Sequence, residues 1–308
     1  MSVIAVDNLQ YGRVEPYVSL DEVKFSPTAS AIDFSNLIEN ASQNVQDRAL
    51  SELIKRASSE ADTYTMGRLG TLNATANTET MADVRPTRQG EIIVHPYYNP
   101  IREITSFSVG WGPGDGMQAI TLSTSNCFIA REQFRITGNS SMGLYFGNLG
   151  IAGGAWSYMT PMYCQYTYVN GWANTFTTTS TAAGATSIVV TDATGIYPSM
   201  QLMVWDGMND EYVQVASSYV AGSTTVTLTN ALSYKHGIGV NVSALPAEVK
   251  QAVIHLVVAM IKQRGAGGLI LSEIGEPVAV GAHQGLSEED RIIAYSLLEP
   301  YCTIWGQT

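Results

Sequence analysis

The sequence predicts an α+β protein, in which N-terminal and C-terminal helices form a helical core that carries a β-sheet region and an inserted small β module. Three observations predict this class. Segments near both ends show the 3.6-residue apolar spacing of helices. Apolar and polar residues alternate through the middle of the chain. Residues 175–243 differ in character from the part before them, because their strand patterns are joined by Gly-bearing turns. We expect four parts: a helical part over 1–82, a β-rich part over 83–174, the inserted module over 175–243 and a second helical part over 244–308.

The first part of the chain predicts two helices. Ser19 and Glu22 have the spacing of a capping box, and Pro27 ends the short helix that they begin. A longer helix is predicted over 47–66, whereas 70–82, rich in Thr, Asn and Ala, is predicted to be a loop. The buried stripe of the longer helix is expected to contain Leu50, Leu53, Ile54, Ala57, Ala61 and Tyr64.

The β-rich part contains short alternating segments between turn signals. Gly110 to Gly116 is a turn cluster, and 138–156 is expected to be an exposed or partner-ordered loop. Strands are predicted over 85–88, 91–94, 102–109, 119–122, 128–131, 134–136 and 163–169. In the inserted module, strands are predicted over 187–191, 201–205, 211–216 and 224–229.

The clearest helix follows the module. Pro246 suits its first turn and Gly265 suits the position after its end. A last helix is expected to be capped at Ser287 and interrupted at Pro300. The apolar face of the clearest helix is predicted to lie in the core or in a ring contact, and it contains Val249, Val253, Leu256, Val257 and Met260.

Composition limits the classes of function. The net charge is −11, which excludes tight binding of nucleic acid by clustered basic residues. Charged residues are 14% of the chain, against about 25% in typical proteins, which indicates much uncharged or partner-covered surface. The three cysteines, Cys127, Cys164 and Cys302, are far apart and predict reduced thiols. The N-terminus lacks the pattern of a signal peptide.

No motif predicts catalysis, a metal or a cofactor. His255 lies within an apolar helix and is interpreted as structural. The acidic run from Asp206 to Glu211 suits a hairpin turn better than a calcium loop, because the EF-hand spacing is absent. The Gly110 to Gly116 run lacks the Lys and the following helix of a phosphate loop. Tyr and Trp side chains crowd the β-rich part, where sheet packing and a protein interface both remain open.

Several segments, taken in their order, carry a resemblance to a known family. They are 17–24, 49–62, 90–96, 183–192 and 234–246, the last followed by the clearest helix. With these segments the chain resembles the head-to-tail adaptors, or head-completion connectors, of long-tailed bacteriophages. The long β portions depart from the smallest members of that family.

The resemblance implies a non-enzymatic virion protein made in the host cytoplasm and located in the neck. It implies a closed homo-oligomeric ring, dodecameric in relatives, that binds the portal protein and a tail or stopper protein. DNA would pass through the lumen without specific binding, and no membrane is involved. The resemblance also implies that a C-terminal segment docks on the portal, here through Leu298, Tyr301, Ile304 and Trp305.

Three other functions remain open. The chain would serve as another structural protein of a phage neck or tail, or its module over 175–243 would bind host carbohydrate. A virion hydrolase is the third, and it would depend on His236 and His255.

Overall fold

A computed structural model describes residues 15–66, 70–84, 87, 91–110, 117–130, 132–137, 162–207, 209–263 and 280–302, with the backbone alone at 36 and 280–287. Four segments with sequence predictions therefore lie wholly or largely outside the described residues. They are the predicted strand over 85–88, the turn cluster after Gly110, the loop over 138–156 and the C′ position at Gly265.

The predicted fold class is wrong. The described residues contain thirteen β-strands in four sheets and four α-helices, so the chain is mostly β and helices do not dominate it. The error has a physical source. The helices carry long, regular apolar stripes, whereas most strands have only two to five residues and leave a weak periodic signal.

The chain divides into two compact units. One unit contains 1–73 and 172–308, and the other contains 74–171. The ends of the first unit's two segments are joined, because the amide of Trp172 donates to the carbonyl of Leu72 at 2.8 Å and Trp172 bridges Asn73. The second unit is thus inserted at one point of the first. The four-part division drawn from the sequence stays a prediction.

The first unit contains all four helices, which pack into one hydrophobic cluster. They are α1 (Leu20–Lys24), α2 (Gln43–Met66), α3 (Ala247–Gln263) and α4 (Val280–Leu298), with 3₁₀ turns at Pro27–Ala29, Phe34–Asn36 and Glu299–Tyr301. The predicted capping box is confirmed, since the Ser19 side chain accepts from the Glu22 amide and the Glu22 side chain accepts from the Ser19 amide. Of the stripe predicted for α2, only Tyr64 is exposed.

α4 begins seven residues before the predicted cap at Ser287. The acidic run that follows Ser287 therefore lies inside the helix, and Asp290 is buried there. The helix ends at Leu298 and gives way to a 3₁₀ turn that contains Pro300, as the missing proline N–H requires.

The inserted module belongs to the first unit and forms a closed cylinder of six antiparallel strands. Its strand order is β11-β10-β13-β8, and the pair β9-β12 closes it through the bridges Thr177–Val190 and Val215–Leu228. Closure leaves no free strand edge in the module. Its strands are β8 (Asn174–Phe176), β9 (Ser187–Val189), β10 (Gln201–Trp205), β11 (Glu211–Gln214), β12 (Thr225–Thr227) and β13 (Asn241–Ser243).

The second unit has two sheets, of order β1-β7-β3-β4 and β2-β6-β5. Phe107, Phe134 and Tyr166 meet edge to face in one buried cluster built from both sheets. Its strands are β1 (Thr75–Val84), β2 (Ile92–Val94), β3 (Ile101–Gly110), β4 (Gln118–Ala119), β5 (Cys127–Ile129), β6 (Phe134–Ile136) and β7 (Met162–Asn170).

The segment predicted as a loop over 70–82 is largely strand β1, which pairs with β7. The prediction failed because the side chains on the inner face of β1 are polar. Asn77 donates to Asn170 at 2.6 Å, and Glu79 accepts from Tyr166 at 2.7 Å. Such partners come from β7, about ninety residues away, so the local sequence shows no apolar alternation.

None of the helices within the described residues combines the length and the apolar character needed to cross a bilayer.

Candidate functional site

A group of buried polar side chains lies where the module meets α1 and α3. Lys250 in the first turn of α3 reaches Glu22 of α1 and Asn241 of β13, beside Trp205 at the end of β10. We call these four residues the junction cluster. Lys250 is 3% exposed and Asn241 is fully buried. The cluster therefore joins two hydrophobic cores of the same unit through polar contacts.

Every polar atom of Lys250 and Glu22 has a partner. The Lys250 Nζ lies 2.7 Å from Glu22 Oε1, 2.7 Å from Asn241 Oδ1 and 4.5 Å from the centre of the Trp205 ring. The other Glu22 oxygen accepts the Ser19 amide at 2.6 Å. Burial lowers the pKa of Lys250, and the neighbouring Glu22 carboxylate opposes that shift. The ammonium is thus held by an ion pair in a place where an unpaired charge would be costly.

A second cluster adjoins the first along the β10–β11 hairpin. Buried His236 lies between two carboxylates, with Nδ1 2.8 Å from Asp206 Oδ2 and Nε2 2.7 Å from Glu211 Oε1. Burial alone would raise the pKa of Glu211, but hydrogen bonds from the Ser233 backbone and His236 hold that pKa below its ordinary value. The hairpin predicted for the acidic run is confirmed by the β10–β11 pairing.

This geometry limits what His236 can do. A general base needs one ring nitrogen free for the proton that it accepts, while the other nitrogen is oriented by a partner. Both nitrogens of His236 face carboxylate oxygens, so the ring bridges strands and cannot activate a nucleophile as it stands. Among the residues that the structure describes, no group of three or more His, Cys, Asp and Glu side chains has a metal-binding arrangement.

His255 also has a structural contact. Its Nδ1 lies 3.0 Å from Asp290 Oδ1, and Lys262 Nζ lies 2.6 Å from the other oxygen of the same carboxylate. Burial would raise the pKa of Asp290, but these two hydrogen bonds lower it overall. The contact ties α3 to α4, which agrees with the structural interpretation drawn from the sequence.

The second unit also contains a carboxylate whose oxygens accept several hydrogen bonds within the protein. Glu79 accepts hydrogen bonds from the hydroxyls of Tyr166 and Tyr168 and from the Tyr97 amide. Burial, and then the Glu79 charge, raises the pKa of both Tyr166 and Tyr168. These tyrosines of β7 are therefore sheet-core residues.

The helix face predicted for a core or a ring lies in the core of its own chain. Val249, Val253, Leu256 and Val257 are fully buried, and Met260 packs partly buried against the same cluster. Of the four residues predicted for portal docking, two pack within the described part of the first unit and two lie outside the described residues. Leu298 is fully buried, and Tyr301 packs edge to face on Trp172 with ring centres 5.7 Å apart. Ile304 and Trp305 lie outside the described residues.

The junction cluster is not predictable from local sequence. The sequence pattern marks Glu22 as a capping residue, and it assigns no role to Lys250 or Asn241. Glu22 and Lys250 are 228 positions apart, so no local spacing connects them. The one available signal was a lysine among the apolar residues of α3, which needs a buried partner if the helix is covered on several sides.

No protein-family model matches this chain, and no curated protein matches it either.

Proposed function

We propose that this chain is a structural subunit of a phage neck, in which copies form a ring adaptor between the portal and the tail and continue the DNA exit channel. The proposal starts from the resemblance of the sequence segments to head-to-tail adaptors. It includes no catalytic step. The observation that carries it is the position of β1 at the edge of its sheet, where Ala76 to Ala82 pair with a strand on one side within the described residues.

Within the described residues, the segment of β1 from Ala76 to Ala82 lies at the edge of its sheet, and β7 is the one strand that pairs with it. Natural proteins protect such edges with Pro, Lys, short strands or closure. Ala76 to Ala82 contains no Pro and no Lys, and its one charge, Glu79, is bound to Tyr166 and Tyr168. The edge supports a subunit whose sheet is continued by a neighbouring copy.

Exposed apolar side chains add to this argument. Phe25 is 70% exposed, Tyr212 is 77% exposed and Ile238 is 72% exposed, all in the first unit. Aromatic and aliphatic residues of this size are typical of surfaces that associate. A ring needs two different contact surfaces on each subunit, and the edge of β1 in the second unit and the exposed apolar side chains of the first unit are candidates for these two surfaces.

The charge of the chain suits a channel protein. At −11 a ring of copies repels the DNA phosphates, so a duplex slides without being held. We expect no salt-sensitive duplex binding by the purified protein.

The test is assembly on the portal. Purified chain is mixed with assembled portal from the same virus and followed by sedimentation and negative-stain microscopy, with a second acidic protein of similar mass as control. We expect a ring on the portal, even if the free chain is monomeric, because binding to the template drives assembly. A chain that binds tail proteins but never the portal would contradict the adaptor and support another neck or tail protein. A chain that binds neither would contradict both.

A carbohydrate-binding role for the module is the second candidate. Tyr212 and Tyr234 are exposed on neighbouring parts of the module, and Tyr234 follows the Ser233 amide that bonds Glu211. Exposed tyrosines of this kind stack on sugar rings. A glycan array with the full chain and a Tyr212→Ala, Tyr234→Ala variant tests this function, and binding that is lost in the variant would support it.

A further inference from the structure

The junction cluster places an amine, a carboxamide and a carboxyl group together inside the protein. Lys250 Nζ contacts both Asn241 Oδ1 and Glu22 Oε1 at 2.7 Å. All three side chains are buried, with 7% of the Glu22 side chain exposed. An ordinary buried ion pair needs only Lys250 and Glu22. The carboxamide is the additional group, and it supplies an electrophilic carbon.

The reacting atoms are close. The Asn241 Cγ lies within about 4 Å of Lys250 Nζ, because the C=O bond adds about 1.23 Å to the measured N–O distance. Reactive conformations bring such atoms to about 3–3.5 Å. A small rotation of the Lys250 side chain is enough to direct its nitrogen from Oδ1 towards Cγ.

The surroundings of the amide favour the attack. Asn241 Nδ2 donates to Asn174 Oδ1 at 2.8 Å and to the Thr175 carbonyl at 3.2 Å, so the plane of the amide is fixed. The Trp205 ring covers the amine. Burial lowers the pKa of Lys250, which favours the neutral amine needed for attack.

We propose that Lys250 and Asn241 react with each other to form an intramolecular isopeptide bond, with Glu22 as the proton carrier. Glu22 takes a proton from the Lys250 ammonium, and the neutral Nζ attacks Asn241 Cγ. Glu22 then delivers that proton to Nδ2 as the Cγ–Nδ2 bond breaks, and it takes the second proton from the newly bonded Nζ, which becomes the isopeptide N–H. The departing ammonia carries this second proton away as ammonium, so Glu22 returns to its carboxylate form. One Nζ–Cγ bond forms, one Cγ–Nδ2 bond breaks, and no oxidant, reductant or other reactant is needed.

The bond would fasten β13 covalently to the first turn of α3. These elements link the module to the helical cluster. The inference is independent of ring formation, since it concerns the folded chain alone.

Mass spectrometry of the full wild-type chain tests the proposal. After folding and prolonged incubation at neutral pH, we expect an intact mass lower by one ammonia, about 17 Da. Trypsin should fail to cleave after Lys250, and the peptide over 236–262 should carry the loss. That peptide should give no backbone fragments from cleavage between Asn241 and Lys250, because the bond encloses them in a ring. A folded wild-type chain with a linear peptide ending at Lys250 would overturn the proposal and leave an ordinary buried ion pair.

A different reaction also loses ammonia and must be separated. Asn170 precedes Gly171, and an Asn-Gly pair can close to a succinimide. That product carries the loss in another peptide and leaves cleavage after Lys250 intact. A loss found only there would overturn the isopeptide proposal.

Variants separate the roles of the residues. Glu22→Gln keeps the size and the acceptor oxygen but removes the proton carrier, so we expect an unshifted mass and a lower melting temperature. Lys262→Met removes another paired lysine of α3 and should still show the loss of ammonia. A Glu22→Gln chain that cross-links as completely as wild type would overturn the role of Glu22. Because Glu22→Gln also removes a buried ion pair, the wild-type mass decides whether the bond exists.

Discussion

Buried or partly buried ionisable side chains in the described residues pair across elements that are distant in sequence. Glu22 joins Lys250 between α1 and α3, His236 joins Asp206 and Glu211 within the module, and Asp290 joins α4 to α3. Such pairs add little net stability when complete, but removing one partner is expensive because the other charge remains buried. These residues therefore give the most direct single-residue predictions.

We predict that His236→Leu destabilises the first unit by about 3–5 kcal/mol. The change leaves the Asp206 and Glu211 carboxylates facing one side chain that cannot donate to either. Chemical denaturation, followed by circular dichroism, measures the loss. His95→Leu is the matched control, since His95 is exposed and its substitution should change stability by less than about 0.5 kcal/mol. Equal effects of the two substitutions would contradict the bridging role of His236.

Asp62 gives a prediction about pH. Burial raises its pKa to about 7, in spite of hydrogen bonds from Tyr17, the Leu72 amide and Thr71. Between the unfolded pKa near 3.8 and the folded value, the native state binds more protons than the unfolded state. The contribution of Asp62 to stability is therefore complete below about pH 4 and is lost as the pH rises to about 7.

We predict that Asp62→Asn, which imitates the protonated form, gains stability relative to wild type as the pH rises from 4 to 8. Each pKa unit corresponds to about 1.4 kcal/mol, and partial exposure of the side chain reduces the full value to on the order of 2 kcal/mol. Denaturation midpoints across this pH range measure the difference. Asp33→Asn, at an exposed carboxyl, should not reproduce it. A difference independent of pH would contradict the raised pKa of Asp62.

At the scale of elements, β1 differs from the other strands. The module strands close on themselves, and the strands of the β2-β6-β5 sheet have three residues each. β1 has ten residues in regular register with β7 from Thr75 to Met81. Its exposed face carries Thr78, bonded to Thr167 across the strands at 3.0 Å, and Thr80.

We predict that Thr78→Lys with Thr80→Lys weakens assembly on the portal at least about tenfold, because lysines on an edge strand oppose pairing with another strand. Both positions are exposed or nearly so, which leaves the melting temperature almost unchanged. Sedimentation of the portal mixture measures assembly. Thr225→Lys with Thr227→Lys, on β12 of the closed cylinder, is the control. Normal assembly by the β1 variant would exclude β1 from the contact between copies.

At the scale of the whole molecule, the arrangement is an insertion. The second unit leaves the first after Asn73 and returns at Trp172, and these two residues bridge each other. Adjacent ends of this kind allow a unit to be removed without stretching the remaining chain.

We predict that replacing 74–171 by a short Gly-Ser linker leaves the first unit folded. Its helical circular dichroism and cooperative unfolding should persist, since its two hydrophobic clusters contain no residue of the second unit. A matched deletion of 174–243 removes Asn241 and opens the junction cluster, so we expect this deletion to unfold the first unit. Loss of helical signal in the linker variant would contradict the independence of the first unit.

The range of the interactions that stabilise each element explains which elements could be predicted from the sequence. The capping box at Ser19, the stripe of α2 and the strands at 134–136 and 201–205 were predictable, because each depends on neighbours within a few residues. The β8 and β13 strands were missed, since each has three residues and gains its stability from pairing with distant strands. The predicted fold class is wrong for the same reason, because the long helices have a strong periodic signal and most strands are too short to have one.

By itself, the sequence determined the negative net charge and the elements that depend on neighbouring residues, such as the capping box at Ser19 and the apolar stripe of α2. Only the tertiary structure decided that the chain is mostly β, that the module closes into a cylinder, and that Glu22, Asn241 and Lys250 meet. The physical reason is the sequence separation between the interacting residues. A cap or an apolar stripe depends on residues in adjacent turns of one helix, whereas strand pairing and buried ion pairs become favourable only after distant segments have been brought together.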